Sequence, residues 1–443
     1  MAMQKEQILD ILLDWNFWRK KLPTGIERPD YLSRAQELLD AGQVLSLIGA
    51  RRAGKSFLMR QIAKKLMAEG LDKNSVLIIN FEDPRFSELN LKTLQQIYEV
   101  YQEELEPREK PFIFLDEVQE VEGWEKWVNA MHELRKARII ISGSNAKLLS
   151  RDLATLLTGR HLDLYVWPLS FVEYLKFEGC TIKSELDIVD KKVTLRRLLR
   201  QYFETGAFPE VALSEKKKEI LLAYFEDILT KDLIIRYKVK KHGKLNTLAK
   251  YYLTNISNPI TFRSLSRFLE LSTDSVEKFS NYFETCFLLF FLKRFSFKIK
   301  EQEKSSRKVY AIDTGLSNTV SLSTGPNWGR MAENIIFLEL RRKQAINPRL
   351  ELCYWKDEQQ REVDFVLKEK LRVKQLIQVC WNVNNIQTKE REVKNLLKAM
   401  REFKIKEGLI ITEDHREEIK IGGGEIKFSP IIRWLLAEAK DLD

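Results

Sequence analysis

The run Gly49-Ala50-Arg51-Arg52-Ala53-Gly54-Lys55-Ser56 fits the pattern G-x-x-x-x-G-K-[ST] and is followed by Phe57. Residues of these types at this spacing suit the binding of a nucleoside triphosphate. Glycines let consecutive main-chain N–H groups curl around phosphate oxygens, and a helix N-terminus adds positive potential. Lys55 then reaches the outer phosphates and Ser56 is a ligand for Mg²⁺. Further on, the apolar stretch Phe112-Ile113-Phe114-Leu115 ends in Asp116-Glu117. Such a pair supplies the other half of the site: Asp116 holds the metal's water shell, and Glu117 orients and deprotonates the attacking water. The two motifs together predict hydrolysis of ATP with Mg²⁺, not binding alone. A third run, Ser142-Gly143-Ser144-Asn145, follows Ile139-Ile140-Ile141. Ser144 and Asn145 are candidates to sense the γ-phosphate, although the same residues make good turns and helix caps.

These groups need elements to hold them. Apolar runs predict strands over Val44 to Ile48, Ser75 to Asn80, Phe112 to Leu115, Arg138 to Ser142 and Leu162 to Val166, with helical stretches between, one of them Lys55 to Met67. That alternation predicts a parallel α/β sheet with its ligands at the C-terminal edge. Ahead of it lie Trp15, Phe17, Trp18 and Arg28-Pro29-Asp30-Tyr31, then an amphipathic helix near Tyr31 to Leu39. From Leu169 to Lys240 the periodicity is helical, interrupted by Gly206-Ala207-Phe208-Pro209; short helices are expected over Lys241 to Lys300 and a mixed α/β unit from about Val309. The expected divisions are an N-terminal segment (1–36), a P-loop core (37–170), a helical lid (171–240), a further small unit (241–308) and a C-terminal domain (309–443).

At 443 residues the chain exceeds one ordinary core. It has no apolar run of membrane-spanning length, and its first residues lack the pattern of a secretion signal. Cys180, Cys286, Cys353 and Cys380 are far apart and show no C-x-x-C spacing, so neither a disulfide framework nor a zinc site is expected and a reducing cytoplasm is. Between Lys231 and Lys308 stand 17 Lys and Arg against 7 Asp and Glu, a local excess equal to the whole chain's +10. A basic surface of that kind favours a polyanionic partner.

The P-loop run, Leu115-Asp116-Glu117-Val118-Gln119, Ile141-Ser142-Gly143-Ser144-Asn145, and Thr158-Gly159-Arg160 with Trp167-Pro168-Leu169-Ser170-Phe171 together resemble archaeal and bacterial AAA-type ATPases of the AAA+ superfamily that end in a nuclease-like domain. Gly206-Ala207-Phe208-Pro209-Glu210 and Lys308-Val309-Tyr310-Ala311-Ile312-Asp313-Thr314-Gly315 extend the resemblance over most of the chain. It implies that Pro209 meets the adenine from the lid, with Gly206 allowing the turn. It also implies an arginine reaching into a neighbouring subunit's site, for which Arg160 is the candidate and Arg151 the reserve, the alternative being a solvated arginine. A homo-oligomer follows from that role, with a hexameric ring as one form.

The resemblance further implies a winged helix over 241–308. Phe262 to Leu269, a break at Glu270-Leu271-Ser272, then Thr273 to Phe287 read as a helix-turn-helix. Arg263, Arg267, Thr273, Ser275 and Lys278, with Lys293, Arg294, Lys298 and Lys300 on the following wing, are the expected contacts to DNA phosphates, which position a duplex without reading it. A helix from Met331 carrying Glu333, then strands over Arg361 to Leu367 and Leu376 to Cys380, resemble the PD-(D/E)xK nuclease fold. Asp364 and Gln378 occupy ligand-like places, with Glu333 and Glu362 as weak contributors, but Cys380 stands where the lysine belongs. A neutral thiol cannot do an ammonium's work, so an inactive domain is expected. The leading functional expectation is an ATP-hydrolysing oligomer that binds and remodels duplex, branched or broken DNA. The alternatives are a nucleotide-dependent signalling switch of the STAND type and an ATP-regulated, metal-dependent nuclease.

Overall fold

A computed structural model describes residues 3–86, 88–144, 159–321 and 325–438. The chain divides into two compact units, Met1–Trp167 and Pro168–Asp443.

The first unit contains α1 (Lys5–Trp15), α2 (Pro29–Asp40), β1 (Val44–Ile48), α3 (Lys55–Ala68), β2 (Val76–Asn80), α4 (Leu91–Leu105), β3 (Phe112–Asp116), α5 (Trp124–Glu133), β4 (Arg138–Gly143) and β5 (His161–Tyr165). The five strands form the expected parallel sheet, in the order β2-β3-β4-β1-β5. Every residue of β1 and β3 is buried. Continuous apolar runs of this kind belong to strands covered on both faces. The strand order sets β4 between β1 and β3, with Ser142 opposite Leu47 and Ile141 opposite Leu115. The loops leaving β1, β4 and β3 therefore emerge side by side.

The outer edge of β2 is closed by the chain's own N-terminal segment. Buried Asn16 accepts from Ile78 N at 2.7 Å and donates to Ile78 O at 2.9 Å, and Trp18 Nε1 donates to Val76 O at 2.7 Å. An edge strand otherwise leaves such groups open to pairing with another chain.

The second unit begins with α6 (Phe171–Phe177), α7 (Glu185–Asp190), α8 (Lys192–Thr205), α9 (Pro209–Leu213), α10 (Lys217–Asp227), a π-helical stretch at Ile228–Ile235, and α11 (His242–Thr254). Next come β6 (Pro259–Ile260), α12 (Phe262–Leu269), α13 (Thr273–Thr285), β7 (Leu289–Lys293), α14 (Ile299–Lys304) and β8 (Arg307–Ala311). The strands pair antiparallel in the order β6-β8-β7. β6 and β7 thus run through a stretch whose periodicity suggests short helices and in which the resemblance implies a winged helix. β6 has two residues, and β7 lies in an apolar run with no alternation to mark it.

The rest of the unit is α15 (Thr314–Val320), α16 (Trp328–Ile346), β9 (Leu350–Lys356), β10 (Glu362–Glu369), β11 (Arg372–Val379), α17 (Ile386–Phe403), β12 (Glu407–Thr412), β13 (Glu417–Ile421), β14 (Gly424–Pro430) and α18 (Ile431–Glu438). Its six strands form one mixed sheet, β13-β14-β12-β11-β10-β9. Leu396, Ala399 and Met400 of α17 share a core with Val363, Val366, Leu376, Ile410 and Phe428 of this sheet.

The junction of α8 and α9 is locked to that of β8 and α15. Gly206 has φ +78°, and a Cβ there would lie 2.1 Å from Asp313 Oδ1. Asp313 accepts from Ala207 N at 2.6 Å and from Leu316 N at 2.7 Å. A Cβ on Gly315 would fall 2.2 Å from the Thr205 carbonyl carbon. Burial pushes the Asp313 carboxyl up to about 6, against the pull of the amides it accepts from.

Candidate active site

β1 ends at Ile48, and the loop that follows must pass close to the chain leaving β5: a Cβ on Gly49 would lie 2.0 Å from Val166 O. Within the loop Ala50 and Ala53 are buried, while Arg52 and Gly54 take φ of +67° and +100°. Left-handed residues in such a turn gather successive N–H groups into a hollow that binds anions. α3 starts at Lys55, whose buried ammonium donates to Gly49 O at 3.0 Å and Ala50 O at 3.1 Å and stands 3.6 Å from Glu117 Oε1.

Asp116 and Glu117 are both buried at the end of β3, and Glu117 turns the chain with φ +51°. Ser142, delivered by β4, joins them: its hydroxyl donates to Asp116 Oδ1 and accepts from Glu117 N at 3.0 Å. Ser56 also hydrogen-bonds the Asp116 carboxyl. Glu117 Oε2 receives the Gln119 amide and, at 3.3 Å, Ser144 N.

The two carboxyls are pushed apart. Burial, and then the charge of Glu117, raise Asp116 against the lowering effect of Ser142, Ser56 and Lys55. Burial also opposes ionisation of Glu117, but Lys55, Gln119, Arg51 and Ser144 outweigh it and hold the group below the ordinary carboxylate range. Glu117 is thus an ionised carboxylate at neutral pH, able to take a proton.

Several partners in this site have no motif to announce them. Ser142 was visible only as one small residue in a run. Arg28 is 4% exposed; it donates to Ala53 O at 3.1 Å and Trp167 O at 3.0 Å and lies 4.2 Å from the centre of the Tyr31 ring. It braces the loop from behind, and in the sequence it is one arginine between Glu27 and Pro29 with nothing to mark its role.

Other candidates fall as follows. Arg51 pairs with Glu82 at 2.7 Å. Phe57 is 44% exposed, with its ring against Gly25. Ser144 is fully buried, and its hydroxyl has no hydrogen-bond partner among the described residues. Asn145 and Arg151 lie outside the described residues. Arg160 precedes β5, its carbonyl accepts from Val44 N at 3.0 Å, and its guanidinium pairs with Glu133. It therefore lies where β1 and β5 begin, at the opposite sheet edge from its own P-loop. Gly206 and Pro209 belong to the second unit, where Gly206 is needed for the packing against Asp313 and Pro209 opens α9.

Arg263, Arg267, Thr273 and Lys278 are exposed on α12 and α13. Ser275 is engaged by the helix cap, its amide donating to Ser272 Oγ at 3.1 Å. On the stretch after β7, Lys298 and Lys300 are exposed, with Lys298 3.0 Å from Glu301, and Lys293 pairs with Glu303 at 2.5 Å. Arg294 departs from the expectation of a wing contact: its Nε donates to Lys356 O at 2.9 Å, so its guanidinium ties the small sheet to β9.

In the C-terminal domain Gln378 Oε1 accepts from Asp364 N at 3.1 Å, while Cys380 is a buried core thiol pushed up to about 11 by burial. A lysine from elsewhere in the chain lies among these carboxylates: Lys308, from β8, reaches Glu333, Glu362 and Asp364.

The first-unit site fits Mg·ATP on its own terms. A loop that admits no side chain at Gly49 presents amides, a buried ammonium lies beside them, and the Ser56 hydroxyl and the Asp116 carboxylate, both suited to a hard cation, touch each other.

Residues 41–175 match a family model described as AAA domain, residues 196–326 a domain of unknown function (DUF8612), and residues 328–431 another (DUF4143). MJ1544 of Methanocaldococcus jannaschii is 32% identical over 88% of this chain and 87% of its own length. A protein of Haemophilus influenzae is 30% identical over 93% of this chain and 98% of its own. Among solved structures, the Walker-type ATPase PABY2304 of Pyrococcus abyssi has 12% identity and a TM-score of 0.43, over 69% of this chain and 99% of that one. By fold and site the first unit is a P-loop domain of AAA type. The chain belongs to the family of AAA-domain proteins that includes MJ1544 and the Haemophilus influenzae protein. No helix among the described residues is long and apolar enough to cross a membrane.

Proposed function

We propose that the protein hydrolyses ATP and, as a homo-oligomer, couples the cycle to gripping and remodelling DNA. The observation that carries the first part is the buried Glu117 carboxylate, 3.6 Å from Lys55, on a residue whose main-chain N–H donates to the same Ser142 hydroxyl that donates to Asp116. In this reading the loop amides and Lys55 hold the phosphates, and Glu117 takes the proton of the attacking water. Gln119 and Ser144 keep Glu117 aimed. Mg²⁺, held by Ser56 and Asp116, supplies charge neutralisation on the phosphates when it is bound.

The DNA part is supported by the order α11-β6-α12-α13-β7-α14-β8 with its β6-β8-β7 sheet, an arrangement like that of a winged helix with α14 in the connection between β7 and β8. Exposed Arg263, Arg267, Lys278, Lys298 and Lys300 lie on it, in the segment that holds the chain's excess positive charge. Arg160, 39% exposed and remote from its own P-loop edge, suits a cation offered to a neighbouring subunit.

The test is phosphate release with and without duplex, forked and single-stranded DNA, with binding followed across a salt series. Stimulation by DNA and salt-sensitive binding are expected. Slow turnover that ignores DNA, with no salt-dependent binding, would instead mark a nucleotide-dependent switch. For the subunit role, Arg160→Ala mixed with Lys55→Ala should recover activity that neither has alone; mixtures as inactive as their parts would remove Arg160 from it.

A further inference from the structure

Lys308 is 1% exposed, and its ammonium sits among three carboxylates: 3.0 Å from Glu333 Oε1 of α16, 2.6 Å from Glu362 Oε1 and 2.6 Å from Asp364 Oδ1 of β10. Each of these acids is also fixed from outside. Tyr310 Oη donates to Glu333 Oε1 at 2.7 Å, Lys356 Nζ lies 3.4 Å from Glu362 Oε2, and Val379 N donates to Asp364 Oδ2 at 2.9 Å. The three carboxylates outnumber the two ammonium groups, of Lys308 and Lys356, that reach them. An ion pair needs one carboxylate per ammonium, whereas a hard divalent ion is held by several oxygens around one point, as here. The contact lengths, though, are those of an ammonium; Mg²⁺ would need oxygens at about 2.1 Å. Among the described residues no group of three or more His, Cys, Asp or Glu is gathered closely enough to hold a metal ion.

We propose that Lys308 is the tethered, permanent cation of a metal-type carboxylate centre formed by Glu333, Glu362 and Asp364. Its ammonium closes that centre to divalent ions, and its removal opens a site for one. The inference concerns the second unit alone and stands independently of the ATPase reading. It gives a physical reason for this unit to do no metal-dependent phosphodiester cleavage: three positions suited to ligands are present, and a side chain of the same molecule fills the space between them.

The test is titration of the nucleotide-free full chain with Mn²⁺, followed by electron paramagnetic resonance. Four proteins are compared: wild type, Asp364→Asn, Lys308→Ala and the double variant. Wild type and Asp364→Asn should bind Mn²⁺ identically. Lys308→Ala should gain one Mn²⁺ per chain, lose it in the double variant, and melt at a higher temperature when Mn²⁺ is added. Lys308→Met, which keeps the apolar stem, serves if the alanine variant does not fold. Two results overturn the proposal: Mn²⁺ binding by wild type that Asp364→Asn abolishes, or a folded Lys308 variant that gains no site. If neither Lys308 variant folds, the comparison of wild type with Asp364→Asn decides by itself.

Discussion

Asp116 and Glu117 adjoin in the chain, yet their surroundings give them opposite electrostatics. Asp116 shares its oxygens with two hydroxyls and is pushed toward protonation by burial, while Glu117 faces an ammonium and stays ionised. One is suited to a metal's neighbourhood and the other to proton transfer. Replacing Glu117 with Gln keeps the shape and the partner amides but removes the basic oxygen. Glu117→Gln should therefore retain Mg·ATP and lose turnover by a factor of about 10² to 10⁴. A fluorescent nucleotide titration beside a phosphate-release assay checks both halves; weakened nucleotide binding with unchanged turnover would place the base elsewhere.

Between elements of the second unit, the Gly206 turn and the Asp313–Gly315 turn form a tight joint. Gly206→Ala would bring a methyl into an Asp313 oxygen at a positive φ, and neither backbone can yield without losing the amide bonds to that carboxylate. The variant should lose about 3 kcal/mol or more of second-unit stability, read from chemical denaturation. The same joint carries a pH dependence. Asp313 titrates near 6 in the fold against an ordinary value of 3.8, so the folded chain binds more protons between those limits. Stability from this group is greatest below about pH 4, falls as the pH rises to about 6, and is level above, with a total change of about 3 kcal/mol. Asp313→Asn should flatten that part of the stability curve; a curve that keeps its slope assigns the effect to another group.

Across the whole molecule, charge is distributed unevenly, and the segment Lys231–Lys308 carries its excess. Many of these cations are committed internally, as with Lys308 among its carboxylates, Lys293 with Glu303 and Arg294 with the Lys356 carbonyl. Local net charge alone therefore overstates what a polyanion would meet. Arg263, Arg267 and Lys278 remain exposed on α12 and α13. Replacing all three with Ala should lower the slope of log binding constant against log salt for duplex DNA by about 2 to 3, with ATP turnover in the absence of DNA unchanged. An unchanged slope would move the DNA path off this face.

The P-loop, the acidic pair and the parallel sheet were legible in the linear order because their physics is local. A phosphate hollow is made by consecutive amides, and a doubly covered strand shows itself as an unbroken apolar run. Ser142 and Arg28 at the first site, and Lys308 at the second, were not legible. Ser142 works across strands 26 positions from Asp116, and Lys308 meets Asp364 from 56 positions away. In the chain, Lys308 is one more basic residue in a basic stretch; burial turns it into the counter-charge of three acids, and burial follows only from packing β8 against α16 and β10.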